Sequence, residues 1–183
     1  AGVATAQSTC SNINNFDLFT GLAGHDVGGS WADDDGTGAL TGNLFDATLV
    51  VTPGTYNFTY TAPSVVGCAD DTETLAVTVS TAPNAGVATA QSTCSNINNF
   101  DLFTGLAGHD ALGTWSDDDG TGALTGNLFD ATLVVTPGTY NFTYTVSVAG
   151  CVDDTETVAV TVITAPNAGV ATAQSTCSNI NNF

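Results

Sequence analysis

"TYNFTYT", residues 55–61, alternates without a break, with Tyr56, Phe58 and Tyr60 on one side and Thr55, Asn57, Thr59 and Thr61 on the other. Successive side chains of a strand point to opposite faces, so a period of two marks a half-buried β-strand and not a helix. "TETLAVTVS", residues 72–80, repeats the pattern with Leu75, Val77 and Val79 inward. Further out, shorter strands are expected at residues 3–8, 16–22, 29–32, 43–45 and 48–52, divided by Gly, Asn, Asp and Pro. That many short strands in a segment of this size predict a two-sheet antiparallel sandwich.

The segment is copied. Residues 1–26 recur unchanged at 85–110, residues 33–61 at 117–145, and "AGVATAQSTCSNINNF" returns a third time at 168–183. The chain therefore divides into repeat 1 (1–84), repeat 2 (85–167) and the first part of a third repeat (168–183). One residue is lost where "TAPSVVGCAD" becomes "TVSVAGCVD", which a loop tolerates best. A unit this long holds its own core, unlike a solenoid repeat. The expected fold class is all-β, as tandem immunoglobulin-like antiparallel β-sandwich repeats. "GTYNF" has the spacing of a tyrosine corner, and Trp31, Tyr56 and Phe58, with their copies Trp115, Tyr140 and Phe142, are expected to meet between the sheets.

Eighteen carboxylates and no lysine or arginine give a formal net charge of -18. Such a surface repels nucleic acid and anionic lipid, which need basic contacts, and attracts cations. The 43% apolar content argues for a folded chain despite that charge. No apolar run approaches a membrane span and no signal-peptide pattern is present, so the expectation is an internal piece of a mature protein with no membrane insertion.

The acidic residues cluster. "SWADDDGTGALTGNLFD", residues 30–46, is repeated as "TWSDDDGTGALTGNLFD" at 114–130. Calcium loops need oxygens at alternating positions of a tight turn. Asp33, Asp35 and Thr37 occupy such positions, with Asp46 as a more distant donor, and Asp117, Asp119, Thr121 and Asp130 copy them. The twelfth position is Leu44, so the usual bidentate carboxylate is missing. The competing reading is a solvated hairpin or long loop whose aspartates favour turn geometry. No cofactor is required, and Ca2+ is the one candidate. Asp70, Asp71 and Glu73, echoed at Asp153, Asp154 and Glu156, read as solvated charges flanking the last strand.

No enzyme is expected. The carboxylates sit in a repeated turn without an evident pocket, and no G-x-S-x-G elbow or Walker A loop occurs. His25 and His109, in "GLAGHD", read as loop histidines bonded to the adjacent aspartate. The "NFT" sequons at Asn57 and Asn141 lie inside the clearest strand and are discounted.

Taken together, the pattern "C...LF..L.G....GTW.DDDGTGALTG..FD.T......GTYNFTYTV....C.DDTETVAVTV..APNAG" resembles the tandem immunoglobulin-like, PKD-like repeats of very large cell-surface adhesins in Bacteroidota. These include the SprB-type adhesins of gliding bacteria, exported by the type IX secretion system. The tryptophan-aspartate pattern usual in PKD domains is absent. The resemblance implies an extracellular, cell-surface stalk or filament without an activity of its own. Its partners would be neighbouring repeats of the same chain, with lateral self-association or a surface or glycan ligand reached through other regions. The alternative is a repeated calcium-dependent glycan-binding module.

The cysteines suit an oxidising exterior. Pairing within repeats, Cys10–Cys68 and Cys94–Cys151 with Cys177 pairing beyond the sequence, is favoured because small secreted domains usually close on themselves. Each such bond would stabilise its domain by roughly 4 kcal/mol. The alternative joins Cys68 to Cys94 and Cys151 to Cys177, stapling neighbouring repeats. Two distant cysteines and one histidine per repeat lack the spacing of a zinc site.

Overall fold

The computed structural model describes residues 1–175, so Cys177 lies outside the described residues. Repeat 1 holds β1 (Val3–Ala4), β2 (Gln7–Cys10), β3 (Phe16–Asp17), β4 (Leu22–Ala23), β5 (Ser30–Asp33), β6 (Leu40–Thr41), β7 (Leu44–Phe45), β8 (Gly54–Ala62) and β9 (Asp71–Ser80). Repeat 2 copies them as β10 (Val87–Ala88), β11 (Gln91–Cys94), β12 (Phe100–Asp101), β13 (Leu106–Ala107), β14 (Thr114–Asp117), β15 (Leu124–Thr125), β16 (Leu128–Phe129), β17 (Gly138–Val146) and β18 (Asp154–Ile163).

Each repeat is all-β and has the same three sheets. In repeat 1 their orders are β2-β9-β8-β5, β3-β7-β6 and β1-β4; in repeat 2, β11-β18-β17-β14, β12-β16-β15 and β10-β13. Every pairing is antiparallel except β2 with β9 and β11 with β18, which run parallel. The β8–β9 hairpin organises the unit, and its alternation is the one visible in the sequence. Phe58, Tyr60, Leu75 and Val77 are fully buried, while Thr55 and Thr78 face outward and bond each other. Phe45 of β7 brings the three-stranded sheet onto the same core, its ring 4.7 Å from that of Phe58. The Tyr56 hydroxyl donates to the Thr52 carbonyl and Tyr140 to Thr136, the backward bond of a tyrosine corner.

Trp31 packs against this core, but its ring neighbours are not Tyr56 and Phe58. It sits opposite Tyr60 in the β5–β8 register, 5.2 Å from that ring and 5.6 Å from Phe19, whereas Tyr56 and Phe58 both approach Phe45. Trp115 is placed likewise, beside Tyr144 and Phe103.

Three expected strands differ, two of them because a local side-chain hydrogen bond competes with the ladder. Residues 3–8 split into β1 and β2, which join different sheets, at Thr5, whose N–H goes to the Gly21 carbonyl. Residues 16–22 are interrupted by a 3-10 turn, Leu18–Gly21, which Asp17 caps by accepting the Phe19 N–H at 3.0 Å. Residues 48–52 form no strand, because Asp46 accepts the Thr48 N–H at 3.0 Å and caps a second 3-10 turn, Ala47–Leu49.

The copies also differ at one strained position. Gly28 adopts a φ of +88°, and its counterpart Leu112 holds a φ of 70° with its side chain 99% exposed. A left-handed non-glycine residue costs about 1–2 kcal/mol, and no burial offsets it here. Among the described residues no helix is long and apolar enough to cross a membrane.

Candidate functional site: the acidic loop and the joint between repeats

The aspartates that follow β5 do not converge; each takes its own backbone or hydroxyl donor. Asp33 Oδ2 accepts the Thr37 hydroxyl and the Gly38 N–H, both at 2.9 Å, closing the loop on itself. Asp34 accepts the Thr59 hydroxyl at 2.7 Å, and Asp35 accepts the Asn57 N–H at 2.6 Å. The Asp34 N–H goes to the Asn57 carbonyl, so these two residues extend the β5–β8 ladder past the end of β5, with a carboxylate standing in for a peptide carbonyl. Asp46 is occupied by Thr48. Asp117, Thr121, Asp118, Asp119 and Asp130 repeat these bonds.

The loop thus brings Asp33 to Thr37 and leaves Asp35 and Asp46 with partners of their own. Among the described residues no three His, Cys, Asp or Glu side chains are grouped so as to hold a metal ion. One acceptor is left over in each copy: Asp33 Oδ1 and Asp117 Oδ1 are buried without a hydrogen-bond partner.

A cleft of about 350 Å3 opens beside Trp31, lined also by Phe19, Ser30, Leu40 and Asn43, and its twin of about 450 Å3 opens beside Trp115. The indole N–H of each tryptophan is buried and unpartnered. His25 belongs to the same aromatic group. Its ring stacks on Phe19 at 4.3 Å, and Nδ1–H donates to the Leu22 carbonyl at 3.0 Å, not to the adjacent Asp26. A carbonyl can only accept, which fixes the proton on Nδ1.

The second acidic cluster is solvated only in part: Asp70, Asp71 and Asp153 are exposed, while Glu73, Asp154 and Glu156 are half-buried. Glu73 shares the parity of Leu75, Val77 and Val79 and faces the first strand of the unit. Glu73 accepts the Ala4 N–H at 3.0 Å; in repeat 2, Glu156 accepts Ala88 at 2.9 Å and Asp154 accepts Ala85 at 2.7 Å. Asp71 holds the corresponding place in repeat 1, accepting from the Ala1 nitrogen.

Asp154 and its neighbours form a joint. Asn84, in the linker, donates its backbone N–H to Asp110 at 2.9 Å and its side-chain amide to the Gly108 carbonyl at 3.0 Å, while the Asp110 N–H returns to the Asn84 carbonyl at 2.8 Å. On the repeat 1 side, Ser11 Oγ accepts the Ala82 N–H at 3.0 Å. A six-residue linker, residues 81–86, is thereby clamped from both ends.

The joint is also covalent, and here the expected pairing fails. Cys10 is bonded to Cys151, not to Cys68, and among the described residues Cys94 and Cys68 are free thiols, so Cys94 is not a partner of Cys151. The reason is the parallel register of β2 on β9. Cys10 lies opposite Ser80 at the end of β9, whereas Cys68 lies in the loop before its start. Ten strand residues at about 3.3 Å each put them roughly 30 Å apart, far beyond the ~7 Å Cα limit of a disulfide. The equivalent loop of repeat 2, however, folds onto the end of repeat 1. There Cys151 reaches Cys10 with a Cα–Cα distance of 4.8 Å.

Compared with protein-family models and with curated protein sequences, the chain matches none.

Proposed function

We propose that the chain is the structural repeat region of an extracellular adhesin stalk or surface filament, with no catalytic role of its own. The observation that carries this reading is the Cys10–Cys151 bond across the clamped Asn84 linker, because a covalent brace holds neighbouring units at a fixed spacing and carries tension past the linker, as a stalk requires. On the same reading each unit is an immunoglobulin-like sandwich. The shared core of the four- and three-stranded sheets and the tyrosine corner at Tyr56 support that assignment. The threonines of the outward hairpin face bond one another, as Thr59 does Thr74 at 2.8 Å, which leaves fewer free hydroxyls for lateral packing of chains.

A second reading, a calcium-dependent glycan-binding module, is favoured by the repeated aromatic cleft beside Trp31 and Trp115 and by the leftover Asp33 and Asp117 oxygens. One pair of assays separates the two. The stalk reading expects no binding on a glycan array and no change in thermal unfolding between millimolar calcium and chelator at matched ionic strength. Micromolar glycan binding, or a calcium-dependent rise of several degrees abolished when Asp33–Asp35 and Asp117–Asp119 become asparagine, would replace it with the second reading.

A further inference from the structure

We infer that Cys10–Cys151 is one link of a head-to-tail disulfide ladder, in which Cys94 bonds the loop cysteine of the following repeat and Cys68 bonds the β2-type cysteine of a preceding one. The inference rests on the reading of the chain as a repeat array. It follows from a comparison of two surfaces that the chain shows once covered and once bare.

The covered pair is the joint itself. Cys10 is 1% exposed, and Gly150, next to Cys151, packs so closely on Ser8 that an added Cβ would lie 3.0 Å from its side chain. The bare pair has the same local architecture. Around Cys94, the Ser95 N–H donates to the Ile163 carbonyl at 2.8 Å and Ser95 Oγ accepts the Ala165 N–H at 3.0 Å, as Ser11 does with Ser80 and Ala82 beside Cys10. Around Cys68, its N–H closes a turn on Val65 at 2.9 Å, as Cys151 does on Val148 at 3.0 Å.

What differs is the cover. Cys94 is half-exposed where Cys10 is buried, Val65 is 68% exposed where Val148 is half-buried, and Gly67 has nothing near it where Gly150 meets Ser8. Asn167 is also set as Asn84 is, its Oδ1 accepting the Gly169 N–H at 2.8 Å, so the linker conformation that seats the next unit is already present. The two bare surfaces are the two halves of the existing contact, and a heterologous contact of this kind propagates along an array. The occupant is therefore a further repeat of this sequence.

The bond forms by exchange. The Cys94 thiol and the incoming loop thiol reduce a donor disulfide of the oxidised-glutathione type; the donor S–S breaks, the new S–S forms, and two electrons and two protons leave with the donor as two thiols.

The test lengthens the chain by one repeat, placing a second copy of residues 101–167 after Phe183, and maps alkylated thiols and cross-linked peptides after oxidative refolding. In the 183-residue chain Cys94 and Cys68 are alkylated. In the longer chain Cys94 leaves the alkylated set and appears bonded to the new loop cysteine, while Cys68 stays free. A second variant guards against an uninformative fold: with Cys94→Ser in the longer chain, the new loop cysteine becomes alkylatable while Cys10–Cys151 persists. Cys94 remaining a thiol in the longer chain, or pairing with Cys68 or Cys177, overturns the ladder; so does a new loop cysteine that stays protected in the Cys94→Ser variant. Neither result touches the stalk reading, which glycan binding would overturn with the thiol map unchanged.

Discussion

Held by its two ends and pulled with the Cys10–Cys151 bond intact, the chain lengthens only by the residues outside the bond, 1–10 and 151–183, about 150 Å when fully extended. Reduced, it releases a further stretch of about 500 Å, because the bond spans 141 residues of sequence. Force entering at the first strands crosses directly from Cys10 to Cys151 and leaves by β18, so while the bond holds residues 11–150 are bypassed and the load falls on β1 and β2 of repeat 1 and on β18 of repeat 2. Pairing within repeats would behave differently, since the linker at residues 81–86 would then carry the full force and both units would lengthen outside their own loops. A single-molecule extension trace with and without reductant reads this difference, and equal gains in the two conditions would contradict the brace. The same bond stabilises the pair against thermal unfolding, by about 5 kcal/mol for a loop of this length in the chain-entropy model.

The largest effect of a single substitution is expected at Gly29. A Cβ there would lie 2.3 Å from the Thr61 carbonyl oxygen and 2.5 Å from the Tyr60 ring, which is fully buried and held by its hydroxyl to the Asp26 carbonyl and the Gly29 N–H. Neither a strand backbone nor a pinned tyrosine can give way, so Gly29→Ala combines overpacking with a lost buried hydrogen bond. We expect a cost of about 3 kcal/mol or more, a large share of the margin of one small domain and a fall of roughly 12–25 °C in its melting temperature. Gly113→Ala is the matching change in repeat 2, where Tyr144 lies 2.3 Å away. Gly54→Ala is the control: its site is open, its φ lies outside the left-handed region, and the change is expected to be within about 1 kcal/mol of neutral. Differential scanning calorimetry checks all three, and a Gly29→Ala protein that melts with the wild type would mean that β5 and β8 do not pack as described.

Much of this was legible in the residues. The alternation of residues 55–61 and 72–80 fixes the central hairpin because a period of two has only one inward face, and "GTYNF" carries its own backward hydrogen bond. The copied segments place the unit boundaries. What the sequence concealed was the partner of each buried or half-buried polar group. Glu73 reads as a solvated charge by composition, yet its parity with Leu75 and Val77 turns it toward β1, where it takes the Ala4 N–H. Asp17 and Asp46 ended strands that apolar content alone would have continued. The cysteines misled for a geometric reason. Proximity along the chain favours pairing inside a unit, but the parallel β2–β9 register sends Cys10 to one end of the unit and leaves Cys68 at the other, and only a tandem neighbour brings the two ends together.

The central claim is that a covalent bond joins the two units, and its most direct test is to map the native disulfide. The chain has no lysine or arginine for a trypsin-type protease, so digestion with pepsin at acid pH, where thiol exchange is suppressed, is the suitable route. After free thiols are alkylated, mass spectrometry of the non-reduced digest should find a peptide containing Cys10 bonded to one containing Cys151, with Cys68 and Cys94 alkylated. Peptides joining Cys10 to Cys68 and Cys94 to Cys151 would contradict the account and return each repeat to a self-closed bead.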